Sequence, residues 1–148
     1  MSRIYFAGPL FCKSEKDFNA QLTAILEDAG YDVFLPQRDG FEAAQLQGLS
    51  PKEVCDKIFN KDTSEIKDCD IFFMILDGCV PDPGACVELG IAHSLDKRCY
   101  GFKTDTRSLE LNVDLNPLIE GCFSKIFKDT DGDKLIKTLI EYLKKNQL

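Results

Sequence analysis

The chain has 148 residues and is 44% hydrophobic, which fits one globular domain over residues 1–148 with a sizeable core. Its net charge of −7, without a basic stripe interleaved with aromatic residues, argues against a nucleic-acid partner. No apolar run approaches the roughly 20 residues that cross a membrane, and the N-terminus lacks the pattern of a signal peptide.

The first half of the chain alternates short apolar runs with segments of helical spacing. In chain order these predict a strand over 3–7, a helix over 14–29, a strand over 31–35, a mixed loop with room for a short helix over 37–48 and a helix from 51 to about 67. Ser14 and Gly30 are the expected N-cap and stop of the first helix. Ser50 followed by Glu53 is a capping-box pattern, which marks the start of the second helix.

The second half continues the alternation. It predicts a strand over 70–76, a helix over 81–95, a strand over 98–102, a polar segment over 103–114, an apolar patch over 115–119, a strand over 123–127 and a helix over 131–144. The strand over 70–76 does not alternate, which is typical of burial on both faces. Together the elements predict an α/β fold: a doubly wound, parallel, five-stranded sheet with helices on both faces, flavodoxin- or Rossmann-like.

In sheets of this kind, ligands bind outside the carboxyl ends of the strands. Three loops leave those ends, after the first, second and third predicted strands. We therefore expect the substrate-binding residues in these loops, at Gly8, Phe11, Gln37, Asp77 and Gly84.

The helix over 81–95 is the most unusual segment. Asp82 before Pro83 is a typical helix start, with a side chain that caps free amides and a proline at the first helical position. The helix behind it is apolar or small nearly all round, which predicts a buried helix. Glu88 is the one carboxylate inside it, and a buried carboxylate costs several kcal/mol unless it is paired or hydrogen-bonded. Glu88 is therefore either a catalytic group or a structurally paired glutamate.

Three further side chains could join Glu88, and each has an ordinary structural alternative. Asp62 continues, by i+4 spacing, the apolar stripe of its helix, and it is either a site group or an edge residue that bends to solvent. Asp82 is either only a cap or a second site carboxylate, roughly 9 Å along the helix axis from Glu88. Tyr5, near the carboxyl end of the first strand, is either a core tyrosine or a donor to a carboxylate.

Other chemistries lack the residues that they need. His93 is the only histidine, so neither a metal site nor a Ser–His or Cys–His nucleophile is predicted. No GxGxxG or GxxxxGK[ST] pattern occurs, and we expect no cofactor. The seven cysteines include no CxxC pair, and most lie in apolar runs, which predicts buried thiols in a reducing, cytoplasmic setting; these are Cys55, Cys69, Cys86, Cys99 and Cys122. A carboxylate-rich site remains, and glycosyl transfer is one reaction that uses paired carboxylates.

Asp82, Gly84, Glu88 and Gly90 form an Asp-x-Gly-x-x-x-Glu-x-Gly pattern, with Asp62 upstream. Further segments accompany this pattern and together span most of the chain; they are residues 4–9, 60–62, 66–71, 77–78, 81–84, 87–92 and 115–119. In combination they resemble the nucleoside 2-deoxyribosyltransferase family. The resemblance implies an enzyme whose partners are a 2′-deoxynucleoside and a free nucleobase.

The resemblance also implies a role for each site residue. Glu88 would match the nucleophile that attacks C1′ of the sugar and forms a covalent deoxyribosyl-enzyme, which a second base then attacks with net retention. Tyr5 would match the residue that orients this carboxylate. Asp62 and Asp82 would match aspartates that contact the base, one of which protonates it. Asn116 would match an asparagine that a neighbouring subunit of a homo-oligomer contributes to the 5′-hydroxyl end of the sugar.

Two other functions compete with base exchange. One is an N-glycosidase that hydrolyses deoxynucleosides or deoxynucleoside 5′-monophosphates. Close relatives of that kind hold phosphate with a Gly-, Ser- and Arg-rich loop after the first strand, and residues 8–14 here lack such a run, which favours a nucleoside substrate. The other is a nucleotide-sensing module without catalysis, which leaves a carboxylate inside an apolar helix unexplained. The preference for purines or pyrimidines stays open.

Overall fold

The computed structural model describes residues 1–107 and 114–146 of the chain. Its strands are β1 Arg3–Ala7, β2 Asp32–Phe34, β3 Ile71–Ile75, β4 Arg98–Lys103 and β5 Lys125–Lys128. They form one sheet in the order β2-β1-β3-β4-β5, and every pair is parallel. This is the strand order of the flavodoxin-like doubly wound fold, so the predicted fold class is confirmed.

Within the described residues, seven helices connect or flank the strands. They are α1 Lys13–Asp28, α2 Pro36–Asp39, α3 Ala43–Leu46, α4 Pro51–Asp68, α5 Pro83–Ser94, α6 Pro117–Glu120 and α7 Gly132–Asn146. The four long helices match the four predicted ones. The short helices α2 and α3 lie in the segment predicted as a mixed loop, and α6 lies in the predicted apolar patch.

Each face of the sheet is covered by a pair of long helices. Helices α1 and α7 pack against one face, where Phe6 and Phe73 point. Helices α4 and α5 pack against the other face, where Tyr5 and Phe72 point. Every residue of β3 is buried, as the absence of alternation in its sequence predicts, because the strand is covered on both sides.

β1 and β3 are neighbours in the sheet, and the chain leaves their carboxyl ends towards opposite edges. Connections from β1 lead to one edge of the sheet and connections from β3 lead to the other, which makes this the switch point of the fold. Gly8 follows β1 with φ of +154°, and a Cβ at this position would lie 3.0 Å from Cβ of Ile75. A glycine is therefore required for the β1 loop to cross the end of β3 so closely.

The start of α1 differs from the prediction. Cys12 occupies the N-cap position, and Ser14 lies inside the first turn. The cause is Glu15, whose carboxylate accepts hydrogen bonds from the backbone N–H groups of Phe11 at 2.8 Å and Cys12 at 2.9 Å. The capping box predicted for α4 is confirmed, because Glu53 accepts from the Ser50 N–H at 2.8 Å.

The prediction that α5 is buried all round is wrong. Only Ala85, Leu89 and Ala92 of this helix are buried, and Val87 is 59% exposed. Helix α5 covers the sheet with one face and turns a second apolar face away from it. In the neighbouring α4, Ile66 near the C-terminal end is the one buried residue.

The cysteines also include both buried and exposed side chains. All seven are free thiols, and Cys69 and Cys99 are buried. Cys86 and Cys122 are only half-buried, and Cys55 is exposed, so the prediction of buried thiols is wrong for these three. Cys55 is exposed because the N-terminal half of α4 carries no buried residue. None of the helices in residues 1–107 and 114–146 is both long and apolar enough to cross a membrane.

Candidate active site

Glu88 lies in the second turn of α5, on the helix face that also carries the buried residues Ala85 and Ala92. This face points towards β1, whose residue Tyr5 is fully buried. The Tyr5 hydroxyl donates a hydrogen bond of 2.8 Å to Oε1 of Glu88. The structure thus joins two predicted site residues that are 83 positions apart in the chain.

Tyr5 acts in this pair only as a donor. Burial raises the pKa of its phenol far above the ordinary value, and the charge of Glu88 raises it further. The phenol therefore keeps its proton across the physiological pH range, and its O–H remains directed at the carboxylate.

Glu88 is a carboxyl group whose ionisation is opposed by its surroundings. Burial is the main cause that raises the pKa of Glu88, to about 7. The hydrogen bond from Tyr5 lowers this pKa, whereas the negative charges of Asp62 and Asp82 raise it. A carboxyl group of this kind titrates near neutral pH, where enzymes place groups that take part in chemistry.

Asp62 lies on α4, opposite Glu88. It is half-buried, and burial raises its pKa to about 6, with Lys61 lowering the pKa and Glu65 raising it. Its carboxyl group and that of Glu88 both line a groove between α4 and α5. Asp62 is therefore a site-facing residue of its helix rather than a stripe residue of the core.

The groove between α4 and α5, called the α4/α5 groove below, has a volume of about 380 Å³. Apart from the two carboxylates, its walls are mainly apolar; they include Cys55, Ile58, Phe59, Ile66, Val87 and Ile91. Such a groove can hold a flat apolar ring beside an ionisable nucleophile and an acid.

Asp82 both caps a helix and acts on the site. Its Oδ2 accepts a hydrogen bond of 2.8 Å from the N–H of Ala85, which caps α5. Its charge also reaches Glu88, whose pKa it raises. Gly84, between Asp82 and Ala85, lines the α4/α5 groove.

The other predicted substrate-binding residues do not line the α4/α5 groove. Asp77 accepts hydrogen bonds from the N–H and hydroxyl of Thr104 at 2.6 and 2.5 Å, and from the N–H of Asp105 at 2.8 Å. It thereby ties the loop after β3 to the loop after β4. Gln37 donates to the carbonyl of Lys16 at 2.9 Å and accepts from Asn19 at 3.1 Å.

Three predicted residues remain at the periphery. Gly8 is half-buried at the end of β1, and Phe11 is exposed. Asn116 is exposed, and its side chain caps α6 by accepting from the N–H of Leu118 at 2.9 Å. A cavity of about 330 Å³ at the strand ends, lined by Pro9 and Asp77, contains none of Tyr5, Asp62 and Glu88. Asp62 and Glu88 therefore line the groove between two helices and not this cavity at the strand ends.

Lys61 is a site neighbour that the sequence reasoning missed. Its ammonium group is 3.2 Å from Glu65 and 5.2 Å from the centroid of the Phe34 ring. It also lowers the pKa of the adjacent Asp62. The i,i+4 spacing of Lys61 and Glu65 is the signal that could have found it. Within the described ranges, no group of three His, Cys, Asp or Glu residues is arranged to bind a metal ion.

Comparisons with known proteins add family information to this geometry. The sequence matches the family model of nucleoside 2-deoxyribosyltransferase over residues 4–133. No curated protein sequence matches the chain. Among solved structures, a conserved protein from Enterococcus faecalis V583 is 23% identical with a TM-score of 0.79, and the match covers 98% of both chains.

Two enzymes are also similar in structure. A 2-deoxyribosyltransferase from Bacillus psychrosaccharolyticus is 25% identical with a TM-score of 0.71, over 90% of this chain and 96% of that one. The CMP N-glycosidase BcmB from Clostridium botulinum is 20% identical with a TM-score of 0.62, over 93% and 97%.

Proposed function

Because the chain belongs to the nucleoside 2-deoxyribosyltransferase family, whose substrates are deoxynucleosides and nucleobases, we propose that it transfers the 2-deoxyribosyl group of a 2′-deoxynucleoside to another purine or pyrimidine base. The observation that carries this proposal is the hydrogen bond from Tyr5 to Glu88. It provides an oriented carboxylate in an apolar groove that also contains Asp62.

The proposed reaction has two displacements at C1′. In the first, a carboxylate oxygen of Glu88 forms a bond to C1′, and the N-glycosidic bond breaks, so that its electron pair leaves with the base. Asp62 supplies the proton that the leaving base takes up; its pKa of about 6 supports this role, because part of the population keeps a proton near neutral pH. Asp82, at the start of the same helix as Glu88, contacts the base.

In the second displacement, a nitrogen of an incoming base attacks C1′ from the vacated side. The bond between Glu88 and C1′ breaks, Glu88 leaves as a carboxylate, and the proton of the incoming base returns to Asp62. Two inversions at one carbon give net retention.

The start of α1 supports a nucleoside substrate over a 5′-monophosphate. Free N–H groups at the first helix after β1 are the usual phosphate site in folds of this kind. Here Glu15 accepts from the N–H groups of Cys12 and Phe11, and these hydrogen bonds lower its pKa. A phosphate bound at these two N–H groups would have to displace this carboxylate, and one bound at the first turn of α1 would meet its negative charge.

A base-exchange assay tests the proposed function. The protein is incubated with a 2′-deoxynucleoside and a different free base, and the exchanged nucleoside is quantified by chromatography. Glu88→Ala should abolish exchange while the circular dichroism spectrum is unchanged. Glu141→Ala, which removes an exposed glutamate from α7, is the matched control and should retain wild-type activity. Full exchange by Glu88→Ala contradicts the proposal.

We further propose that the active protein is a homo-oligomer whose subunits share sites. Side chains on α4 and α5 leave an apolar surface exposed: Ile58 is 42%, Phe59 60% and Val87 59% exposed. Asn116 is exposed and does not line the groove of its own subunit. Both observations fit a neighbouring subunit that covers the groove and contributes Asn116. The seven free thiols support a cytoplasmic setting.

Mixing two inactive variants tests the shared site. Glu88→Ala and Asn116→Ala subunits, unfolded together and refolded, form hybrid dimers with one site that has both residues intact. The mixture should recover about a quarter of wild-type exchange if the dimer is two-fold symmetric. Each variant refolded alone is the control and should stay inactive. A mixture no more active than its components contradicts a site shared through Asn116.

Hydrolysis of the N-glycosidic bond is the second candidate function. It is favoured by one observation: Glu88 is only half-buried in the described chain, so water can reach the carboxylate unless a neighbouring subunit covers the groove. Release of free base without an acceptor, at a rate that an added base does not change, supports hydrolysis as the main activity. Comparing a deoxynucleoside with its 5′-monophosphate in this assay decides the substrate class.

A further inference from the structure

Tyr5 lies in the middle of a row of three aromatic side chains. Phe34 on β2 and Phe72 on β3 are its register partners across the sheet, so the three rings project from the same face. The Tyr5 ring centroid lies 5.4 Å from that of Phe34 and 5.6 Å from that of Phe72, with interplanar angles of 26° and 7°. All three side chains are buried.

This row restricts where the Tyr5 hydroxyl can be. The oxygen lies on the axis of ring flips about Cβ–Cγ, so those flips do not move it. Rotation about Cα–Cβ would move it, but the ring would then enter the space that Phe34 or Phe72 occupies. In a close-packed interior, such a displacement requires the neighbours to move as well.

Helix α4 also contacts this row of aromatic rings, through Lys61. The Lys61 ammonium group of α4 lies 5.2 Å from the Phe34 ring centroid, within the range of a cation–π interaction. The same group is 3.2 Å from Glu65, which in turn accepts from Arg3 at 2.5 Å. Helix α4, which carries Asp62, is thereby fixed against the β2 end of the row.

We infer that Phe34 and Phe72 are positioning residues of the reaction, which hold the Tyr5 ring so that its hydroxyl stays bonded to Glu88. Neither ring lines the α4/α5 groove, so both act through Tyr5 rather than by touching substrate. The kinetic consequences rest on the proposed function, whereas the effect on Glu88 itself does not.

The charges around Glu88 determine what a loosened ring would do. Asp62 from α4 and Asp82 from the start of α5 disfavour the ionised form of Glu88, and Tyr5 from β1 is the donor that favours it. The Cys69 thiol is a further titratable group that faces Tyr5. A weaker hydrogen bond therefore leaves burial and two negative charges unopposed, and Glu88 ionises at higher pH.

The test is a titration of Glu88 by carbon-13 NMR in Phe72→Leu and Phe34→Leu. We expect the midpoint of the Glu88 carboxyl to rise by at least about half a pH unit, because full loss of a hydrogen bond to a charged group is worth roughly one to two units. Phe34 lies on the edge strand β2, so its truncation perturbs folding less than that of the central Phe72. Phe72→Met, whose unbranched and flexible side chain adapts to irregular space in a core, is the additional variant at that position.

Phe73→Leu is the matched control. Phe73 is the next residue of β3 and is buried too, but it points to the opposite face, where its ring lies 5.4 Å from that of Phe6. Its truncation removes the same atoms from the core and should leave the Glu88 midpoint unchanged. An unchanged midpoint in the folded Phe34 and Phe72 variants overturns the inference, and so does an equal shift in Phe73→Leu.

The exchange assay gives the second readout. In Phe72→Leu we expect kcat/KM at pH 6 to fall by the factor that the NMR shift implies, at least about three-fold, because fewer molecules have an ionised Glu88. Phe73→Leu should keep the wild-type kcat/KM at this pH. If the wild type catalyses neither exchange nor hydrolysis, the proposed function fails, and the titration still decides whether the aromatic row positions Tyr5.

Discussion

At the scale of single residues, Glu88 meets two opposed requirements. In the proposed mechanism it must be ionised to attack a carbon atom, yet burial and the nearby charges of Asp62 and Asp82 raise its pKa to about 7. The Tyr5 hydroxyl, 2.8 Å away, is the donor that limits this rise. A nucleophile in this setting is reactive because little solvation has to be removed before it attacks.

Replacing Tyr5 by phenylalanine tests this balance. Without the hydroxyl, the pKa of Glu88 rises further, so fewer molecules have an ionised Glu88 at pH 6, and kcat/KM there should fall about ten- to a hundred-fold. A pH–rate profile of the exchange reaction measures this loss.

Tyr142→Phe provides the control for that variant. Tyr142 stacks edge-on against Tyr100 and Phe127 on the other side of the sheet, and its loss should leave kcat/KM at pH 6 unchanged. If Tyr5→Phe keeps the wild-type kcat/KM at pH 6, Tyr5 does not control the ionisation of Glu88.

Contacts between loops far apart in the chain could not be predicted from the sequence. Asp77 accepts from Thr104 and Asp105, 27 and 28 positions away, and helical or strand spacing cannot reveal such hydrogen bonds. The residues alone left Tyr5 either a core tyrosine or a donor to a carboxylate, and the family resemblance implied its contact with Glu88.

At the scale of elements, α5 combines a structural cap with a reactive face. Asp82 caps the helix through the N–H of Ala85, Glu88 faces the sheet, and Val87 faces outwards. The sequence pattern of α5 is apolar all round, which predicts a buried helix, yet Val87 is 59% exposed. A pattern shows that a face is apolar and does not show what covers it.

Two variants of Asp82 separate the cap from the chemistry. Asp82→Ala should lower the free energy of unfolding by about 1 kcal/mol, because the Ala85 N–H loses its acceptor. Asp82→Asn keeps an acceptor oxygen and should retain most of the stability while losing the charge. Urea unfolding and kcat/KM, measured on both variants, check these expectations.

Ser50→Ala is the control for the cap alone. It removes the cap of α4 and should destabilise the protein by a similar amount without changing kcat/KM. If Asp82→Asn exchanges bases as fast as the wild type, the charge of Asp82 has no part in the reaction.

At the scale of the whole molecule, the alternation of strands and helices was enough to predict the sheet and its two helix layers. The sequence limited the strand order to a few possibilities, because parallel strands joined by right-handed crossovers can be arranged in few ways. The location of the groove could not be predicted from the sequence, since it depends on the distance between α4 and α5 on their face of the sheet. That separation leaves Glu88 half-buried, and in the proposed homo-oligomer a neighbouring subunit covers it.

The stability of the whole protein should depend on pH through Glu88. Its pKa is about 7 in the folded protein against an ordinary value of 4.5, so the folded state binds this proton more tightly than the unfolded state. The contribution of Glu88 to stability is therefore full below about pH 4.5 and is lost as the pH rises to about 7. Glu88→Gln should exceed the wild type in unfolding free energy by about 1–3 kcal/mol at pH 8.

Urea unfolding at pH 5 and pH 8 measures this difference, which should be smaller at pH 5. Glu141→Gln, at an exposed position of α7, should behave as the wild type at both values. An equal stability of Glu88→Gln and wild type at pH 8 shows that ionised Glu88 is not destabilising in the fold.

The most direct test of the central claim is mass spectrometry of the intact protein, quenched with acid after exposure to a 2′-deoxynucleoside without an acceptor base. The proposed mechanism predicts an added mass of one deoxyribosyl group, mapped by peptide analysis to Glu88, absent from Glu88→Ala and discharged by a free base. Rapid base exchange with no adduct at any quench time, or an adduct mapped to another residue, contradicts it.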